Sequence, residues 1–254
     1  MSKMILTKQY KDSENLEFNL YHGTSNLFIE NIREKGFSYR DENLFDKELL
    51  EALFEALKKY PESELMRSSY WIVERMINKD LPPGSKPFHY GGAFFSINFD
   101  KALGYARGNG LVAKMFSSEF LTTIFQLYDE LKEFDKHKAL SLMSDIHPCK
   151  VLYEKVKKGE HRPVVITLIN PSKSHFFSLN EAGKYSPIEN RLAWIYKKAF
   201  EFHSSRHQPK KEPDRIELDE LETIVFSTEE FVLKDSVPFE KFKTKIEHFE
   251  LLKF

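Results

Sequence analysis

Leu20-Tyr21-His22-Gly23-Thr24 is the stretch whose reading decides the fold. Phe18-Asn19-Leu20-Tyr21 reads as a short strand that ends at His22-Gly23-Thr24. Leu27 to Lys35 then carries Phe28, Ile29 and Ile32 at helical spacing, and Gly36 sits where a C-terminal glycine stop belongs. A glycine directly after His22 lets a flat ligand come close to the main chain.

Two further segments fit beside it. In Gly91-Gly92-Ala93-Phe94-Phe95-Ser96 the glycines open an apolar strand over 93–97, and a short helix follows over 100–106. Phe94 on the strand and Tyr105 on the helix can converge on one slot, where a planar cationic ring gains from stacking. In Glu220-Leu221-Glu222-Thr223-Ile224-Val225-Phe226 the last four residues read as a strand. Glu220 and Glu222 then share a face, roughly 7 Å apart. A carboxylate so placed can face an electron-poor sugar carbon, the requirement of glycosidic cleavage through an oxocarbenium-like state.

Around these segments the pattern is mixed. Residues 1–17 read as a polar arm. Leu49, Leu50, Leu53, Phe54 and Leu57 line one face of a helix over 44–60, stopped by Pro61. A second helix fits 63–79, and 111–160 is mostly helical with a break at Pro148. Pro163 to Ile169 is a β-branched run that reads as a buried strand, 188–203 as a helix, 204–219 as a loop, and 230–254 as a further strand or two. Short strands separated by helical excursions give an α+β class.

Composition narrows the function. The chain has 254 residues, 41% hydrophobic and 30% charged, enough for a substantial core. Thirty-eight basic and 39 acidic residues leave a net charge of −1, so no bulk field favours nucleic acid or membrane. The single cysteine, Cys149, excludes an intrachain disulfide and a cysteine-built metal cage, and it reads as a buried structural thiol. No signal-like N-terminus and no membrane-length apolar run are present, which places the chain in a reducing, cytoplasmic setting. Gly108-Asn109-Gly110 follows no strand, so it is no dinucleotide fingerprint. His203 and His207 read as solvated histidines, and no metal is expected.

In their order and spacing the three segments resemble the ADP-ribosyltransferase superfamily. The closer likeness is to its His-Tyr-Glu branch, which holds the diphtheria-type toxins and the poly(ADP-ribose) polymerases. The resemblance covers 20–37, 91–106 and 220–227. Taken singly, His22 reads as a structural histidine, Phe94 and Tyr105 as core, and the glutamates as a solvated acidic stretch; the joint pattern carries the likeness. It implies a single ADP-ribosyltransferase-like split β-sandwich over 1–254, with helical insertions at about 41–80 and 111–160.

The resemblance also implies roles, with NAD as substrate. His22 would bond the adenosine ribose, and the Gly23 backbone, with Thr24 beside it, would hold the carboxamide. Tyr105 would stack on the nicotinamide, and Phe94 stands where the family usually has tyrosine. Glu222 would stabilise positive charge as nicotinamide departs. The alternative glutamate is Glu220, and a Glu-x-Glu pair resembles the arginine-modifying toxins. Ala102 stands where the polymerases have serine, which disfavours polymerisation. The implied activity is mono-ADP-ribosylation of a protein side chain, arginine favoured, by an intracellular regulator or an effector delivered into a host cytosol. Arg206, Lys210, Lys211 and Arg215 would lie in a loop facing the protein acceptor. The alternatives are an NAD glycohydrolase, a nucleic-acid ADP-ribosyltransferase, disfavoured because that loop lacks aromatics, and a non-catalytic NAD- or protein-binding module.

Overall fold

The computed structural model describes residues 4–7, 10, 12–37, 46–68, 73–74, 77, 93–107, 119–179, 185–207, 213–219, 222–223, 230–233 and 237–250. Its architecture is α+β, built on one seven-stranded and one two-stranded sheet rather than two small ones. Among the described residues the strands are β1 (Met4–Thr7), β2 (Leu20–Ser25), β3 (Phe94–Ser96), β4 (Pro163–Leu168), β5 (Phe176–Leu179), β6 (Tyr185–Ser186), β7 (Arg215–Leu218), β8 (Glu230–Leu233) and β9 (Thr244–His248). The large sheet runs β6-β5-β8-β3-β2-β4-β9, with every described pairing antiparallel. The N-terminal residues expected as a polar arm instead supply β1, which pairs with β7.

β4 organises the large sheet. Its residues are buried throughout, and three of the six, Val164, Val165 and Ile166, are β-branched and apolar. That composition suits a strand covered on both faces. It pairs in register with β2 from Leu20↔Leu168 to Ser25↔Pro163. This pairing carries the strand through His22-Gly23-Thr24 instead of ending it before them. A histidine and a glycine, weak strand formers on their own, are held extended by their neighbour's ladder.

Alternation along β2 then sorts its side chains. Leu20 joins the main core with Phe95, Ile166, Leu168, Phe176 and Phe231 of the same sheet. Helix α8 (Ile188–His207) adds Ile188, Leu192, Ile195 and Ala199 to this core, and β1 and β7 add Met4, Leu6, Ile216 and Leu218. α8 extends past the expected end and includes His203 within it. On the opposite face Tyr21 meets helix α4 (Phe99–Arg107), where Ala102, Leu103, Ala106 and Val165 make a small second cluster.

The turn into α4 is written in the sequence Ser96-Ile97-Asn98. The Ser96 hydroxyl accepts from the Asn98 N–H at 3.0 Å, and Asn98 Oδ1 accepts from the Lys101 N–H at 2.7 Å. This is a side-chain N-cap, which satisfies a helix donor that has no partner within the helix. After β2, Ser25 caps a 3-10 turn over Asn26–Phe28, helix α1 (Ile29–Lys35) follows, and Gly36 at φ 85° ends it.

The expected insertions meet as one helical layer with a core of its own. It comprises α2 (Lys47–Leu57), α3 (Glu64–Ser68), α5 (Glu119–Phe134), α6 (Lys136–Leu142) and α7 (Pro148–Lys157). Leu50, Leu53 and Phe54 pack with Ile124, Phe125 and Tyr128, and with Cys149 and Leu152. The chain thus folds around two principal hydrophobic cores rather than one. Leu27 and Phe28 reach from the end of β2 into the helical core. Pro148 stands in the first turn of α7, where its missing N–H has no consequence, and His147 caps that helix. No described helix is long and apolar enough to cross a membrane.

β2 and α4 approach backbone to backbone at Gly23. A Cβ placed on Gly23 would stand 1.9 Å from the Ala102 carbonyl oxygen and 2.9 Å from the Ala106 nitrogen. Both are helix backbone, which cannot rotate away. Gly23→Ala should therefore lower unfolding stability by about 2–3 kcal/mol, measured by urea denaturation. A loss below about 0.5 kcal/mol, within ordinary surface scatter, would show that α4 is not seated on this residue.

Candidate functional site

His22 sits mid-strand on β2, on the main-core side, with its ring 5.2 Å from Phe95 and 5.9 Å from Phe37 between centroids. Its Nδ1 lies 2.8 Å from the Phe94 carbonyl oxygen. A carbonyl only accepts, so Nδ1–H is the donor, and the neutral ring keeps an Nε2 lone pair as an acceptor. Burial pulls the ring's pKa below the ordinary histidine value, and the bond to Phe94 opposes that shift only in part. The imidazole is therefore held neutral in one tautomer. An Nε2 acceptor is the group a ribose hydroxyl could donate to.

Phe94 begins β3, opposite Val232 of β8. Alternation sets Phe94 and Ser96 on the face opposite Phe95, the face on which α4 packs. Its contribution to His22 comes through its main-chain carbonyl, a role that residue identity does not reveal. Tyr105 lies on the outer side of α4 and is 41% exposed, with the Lys101 ammonium 5.8 Å from its ring centre. Phe94 and Tyr105 thus stand on the same side of the sheet, on consecutive elements.

Gly23 is placed differently from the expectation. The close approach that its missing side chain permits is made by α4, not left for a ligand. Thr24 is buried and lies opposite Val164 in the β2–β4 ladder. Alternation sets it on the main-core face with Val164, away from α4.

The glutamates diverge most from the sequence reading. Glu222 is not on a strand. It stands in a helical turn, where its Oε2 accepts from the Asp219 N–H at 3.0 Å and Asp219 Oδ1 accepts from the Glu222 N–H at 2.8 Å. This reciprocal pair is a capping box, which Asp219-x-x-Glu222 encodes. The other carboxylate oxygen holds the Arg206 guanidinium at 2.7 Å. Glu222 is thereby occupied in tying α8 to the end of β7. Glu220 and 224–226 lie outside the described residues. Of the basic residues expected to face an acceptor, Arg206 pairs with Glu222 and Arg215 with Glu217, while Lys210 and Lys211 lie outside the described residues.

On the side away from β2, β3 pairs with β8, whose first residue is Glu230. Glu230 lies opposite Ser96, and Ser96 lies opposite Tyr21, in one row across three strands. Strands pair about 4.8 Å apart, which sets the Glu230 backbone about 10 Å from that of Tyr21. The sequence carries the signal in Glu230-Phe231-Val232-Leu233, a glutamate before an apolar run like that at Glu222. Only the strand pairing separates the two. Among the described residues no three histidine, cysteine, aspartate or glutamate side chains gather as a metal site.

The lowered pKa of His22 has a definite sign in stability. In the unfolded chain the ring titrates at the ordinary value, so on acidification the unfolded state takes its proton first. Stability is full above about pH 6.5 and falls as pH drops toward the folded-state pKa. His161, also lowered by burial, acts in the same direction. His22→Asn keeps a donor for the Phe94 carbonyl and removes the titration. It should flatten part of the stability loss between about pH 7 and pH 5 in urea titrations. An unchanged acid slope would count against a buried, neutral His22.

No protein-family model, no curated protein and no solved structure matches this chain.

Proposed function

We propose that this chain is an NAD-dependent mono-ADP-ribosyltransferase that modifies a protein side chain, with the large sheet and α4 forming an ADP-ribosyltransferase-like core. The observation that carries the reading is the succession of β8, β3 and β2 in one sheet, with α4 leaving the end of β3. It brings the first two segments of the resemblance together, while the strand beside them carries Glu230 rather than the third segment, 220–227.

The chemistry asks little of the protein beyond position and charge. The bond between nicotinamide nitrogen and ribose carbon breaks, both electrons leave with nicotinamide, and nicotinamide departs neutral without a proton. Positive charge grows on the ribose carbon and calls for a carboxylate, and Glu230, in one register row with Ser96 and Tyr21, is the candidate. The Tyr105 ring offers its face to the cationic pyridinium of the bound dinucleotide. His22 lies on the opposite face of the sheet from Tyr105, and the reading gives it no direct contact with the ring. The acceptor side chain attacks the ribose carbon and gives up its proton. The arginine preference rested on Glu220 and Glu222 as a strand pair. With Glu222 held by Arg206, the proposal keeps a protein acceptor without that preference.

Transfer of labelled ADP-ribose into cell lysate, with nicotinamide release followed in parallel, tests the reading. Glu230→Gln should reduce both by about 100-fold or more, the scale of losing a charge-stabilising group. Glu222→Gln keeps a capping acceptor and should stay within about threefold of wild type. Full activity in Glu230→Gln would remove Glu230 from the site. Nicotinamide release without labelled protein would make the chain a glycohydrolase. A wild type that neither binds NAD nor releases nicotinamide would end the reading.

A further inference from the structure

Four glycines are described, and the fold explains three of them. Gly23 is pressed against the Ala102 carbonyl, Gly36 and Gly159 have positive φ, and Gly36 also lies against the Val237 carbonyl. Gly104 is the exception. It stands in the middle of α4 without a positive φ, and a Cβ built on it meets nothing within 4 Å. Glycine is among the least favourable residues inside a helix, because it loses the most backbone freedom and packs nothing. The chain carries this cost at a position where its own packing gives nothing back.

The neighbours suggest what the bare position serves. Tyr105 follows directly and is the most exposed aromatic residue among those described, and Lys101 lies one turn earlier with its ammonium near the Tyr105 ring. The outer surface of α4 therefore sets the partly exposed Tyr105 ring beside the open space where a Gly104 side chain would stand. We infer that Gly104 is a specificity-determining residue: it keeps the helix surface beside Tyr105 low, so that a flat cationic ring stacked on Tyr105 can lie against the backbone. The inference rests on the NAD reading above, which makes that ring the pyridinium of the dinucleotide.

Gly104→Ala tests it in the full chain, because the added methyl has room and favours the helix. Without ligand the variant should melt about 2–4 °C higher than wild type. Its Kd for NAD should rise about five- to tenfold, the range of a lost stacking contact. Its Kd for ADP-ribose, which lacks the ring, should stay within about twofold. An unchanged NAD affinity overturns the inference and leaves the NAD reading standing. Equal losses for NAD and ADP-ribose also overturn it, since the effect would not lie at the ring. A wild type that binds neither ligand fails the NAD reading, and this inference falls with it.

Discussion

Where β2 passes under α4, main chain meets main chain, since a methyl on residue 23 would stand 1.9 Å from the Ala102 carbonyl. Much of the site's geometry follows from that approach. Because α4 lies so close, Ala102 and Ala106 can bury against the sheet with only small side chains between. The Asn98 cap fixes where the helix starts, and the Gly23 contact fixes where it crosses. Those two constraints determine where Tyr105 emerges on the outer side. The space that the missing side chain leaves is taken by the helix that bears the aromatic ring.

The histidine depends on the same strands from the other face. A ring among Phe37 and Phe95 would be costly to charge, and the Phe94 carbonyl supplies one polar partner without requiring a charge. That carbonyl is in place because β3 lies beside β2 at the Tyr21–Ser96 pairing. The tautomer of His22 is therefore set by the backbone of the sheet, while burial, and not another titratable group, keeps the ring neutral.

Features whose cause is local were legible in the sequence. The β-branched run of β4, the leucine stripe of α2, the glycine that stops α1 and the proline that starts α7 each act within a few residues. β1 and β7 were not legible, because four residues of alternation pass for a polar arm until the partner strand is known. The joint helical core was hidden for the same reason: α2 and α5 are far apart in the chain, and each shows only its own apolar face. The candidate residues divide in the same way. Phe94 and Tyr105 belong to a local strand–helix pattern and stand on one side of the sheet, whereas alternation along β2 turns His22 to the other. Glu222 and Glu230 both precede apolar runs, and only long-range pairing puts Glu230 beside β3 while Asp219 and Arg206 engage Glu222.

The helical layer adds a constraint at the end of β2. Leu27 and Phe28, the residues that join its core, come just after Ser25, so the strand bearing His22 is anchored at one end in a different core from the one beneath it. Asn26 strengthens the junction: its N–H donates to the Arg162 carbonyl at 3.0 Å, just before β4 begins. Within the layer His147 couples two helix starts, accepting from the Cys149 N–H while its Nε2 lies 3.3 Å from the Asp46 carboxylate that caps α2. A shift of the helices would therefore pull on Leu27, Phe28 and the end of β2 before it reached the sheet's centre. His22, three residues from that end and bonded sideways to β3, is the first polar group of the site along that path.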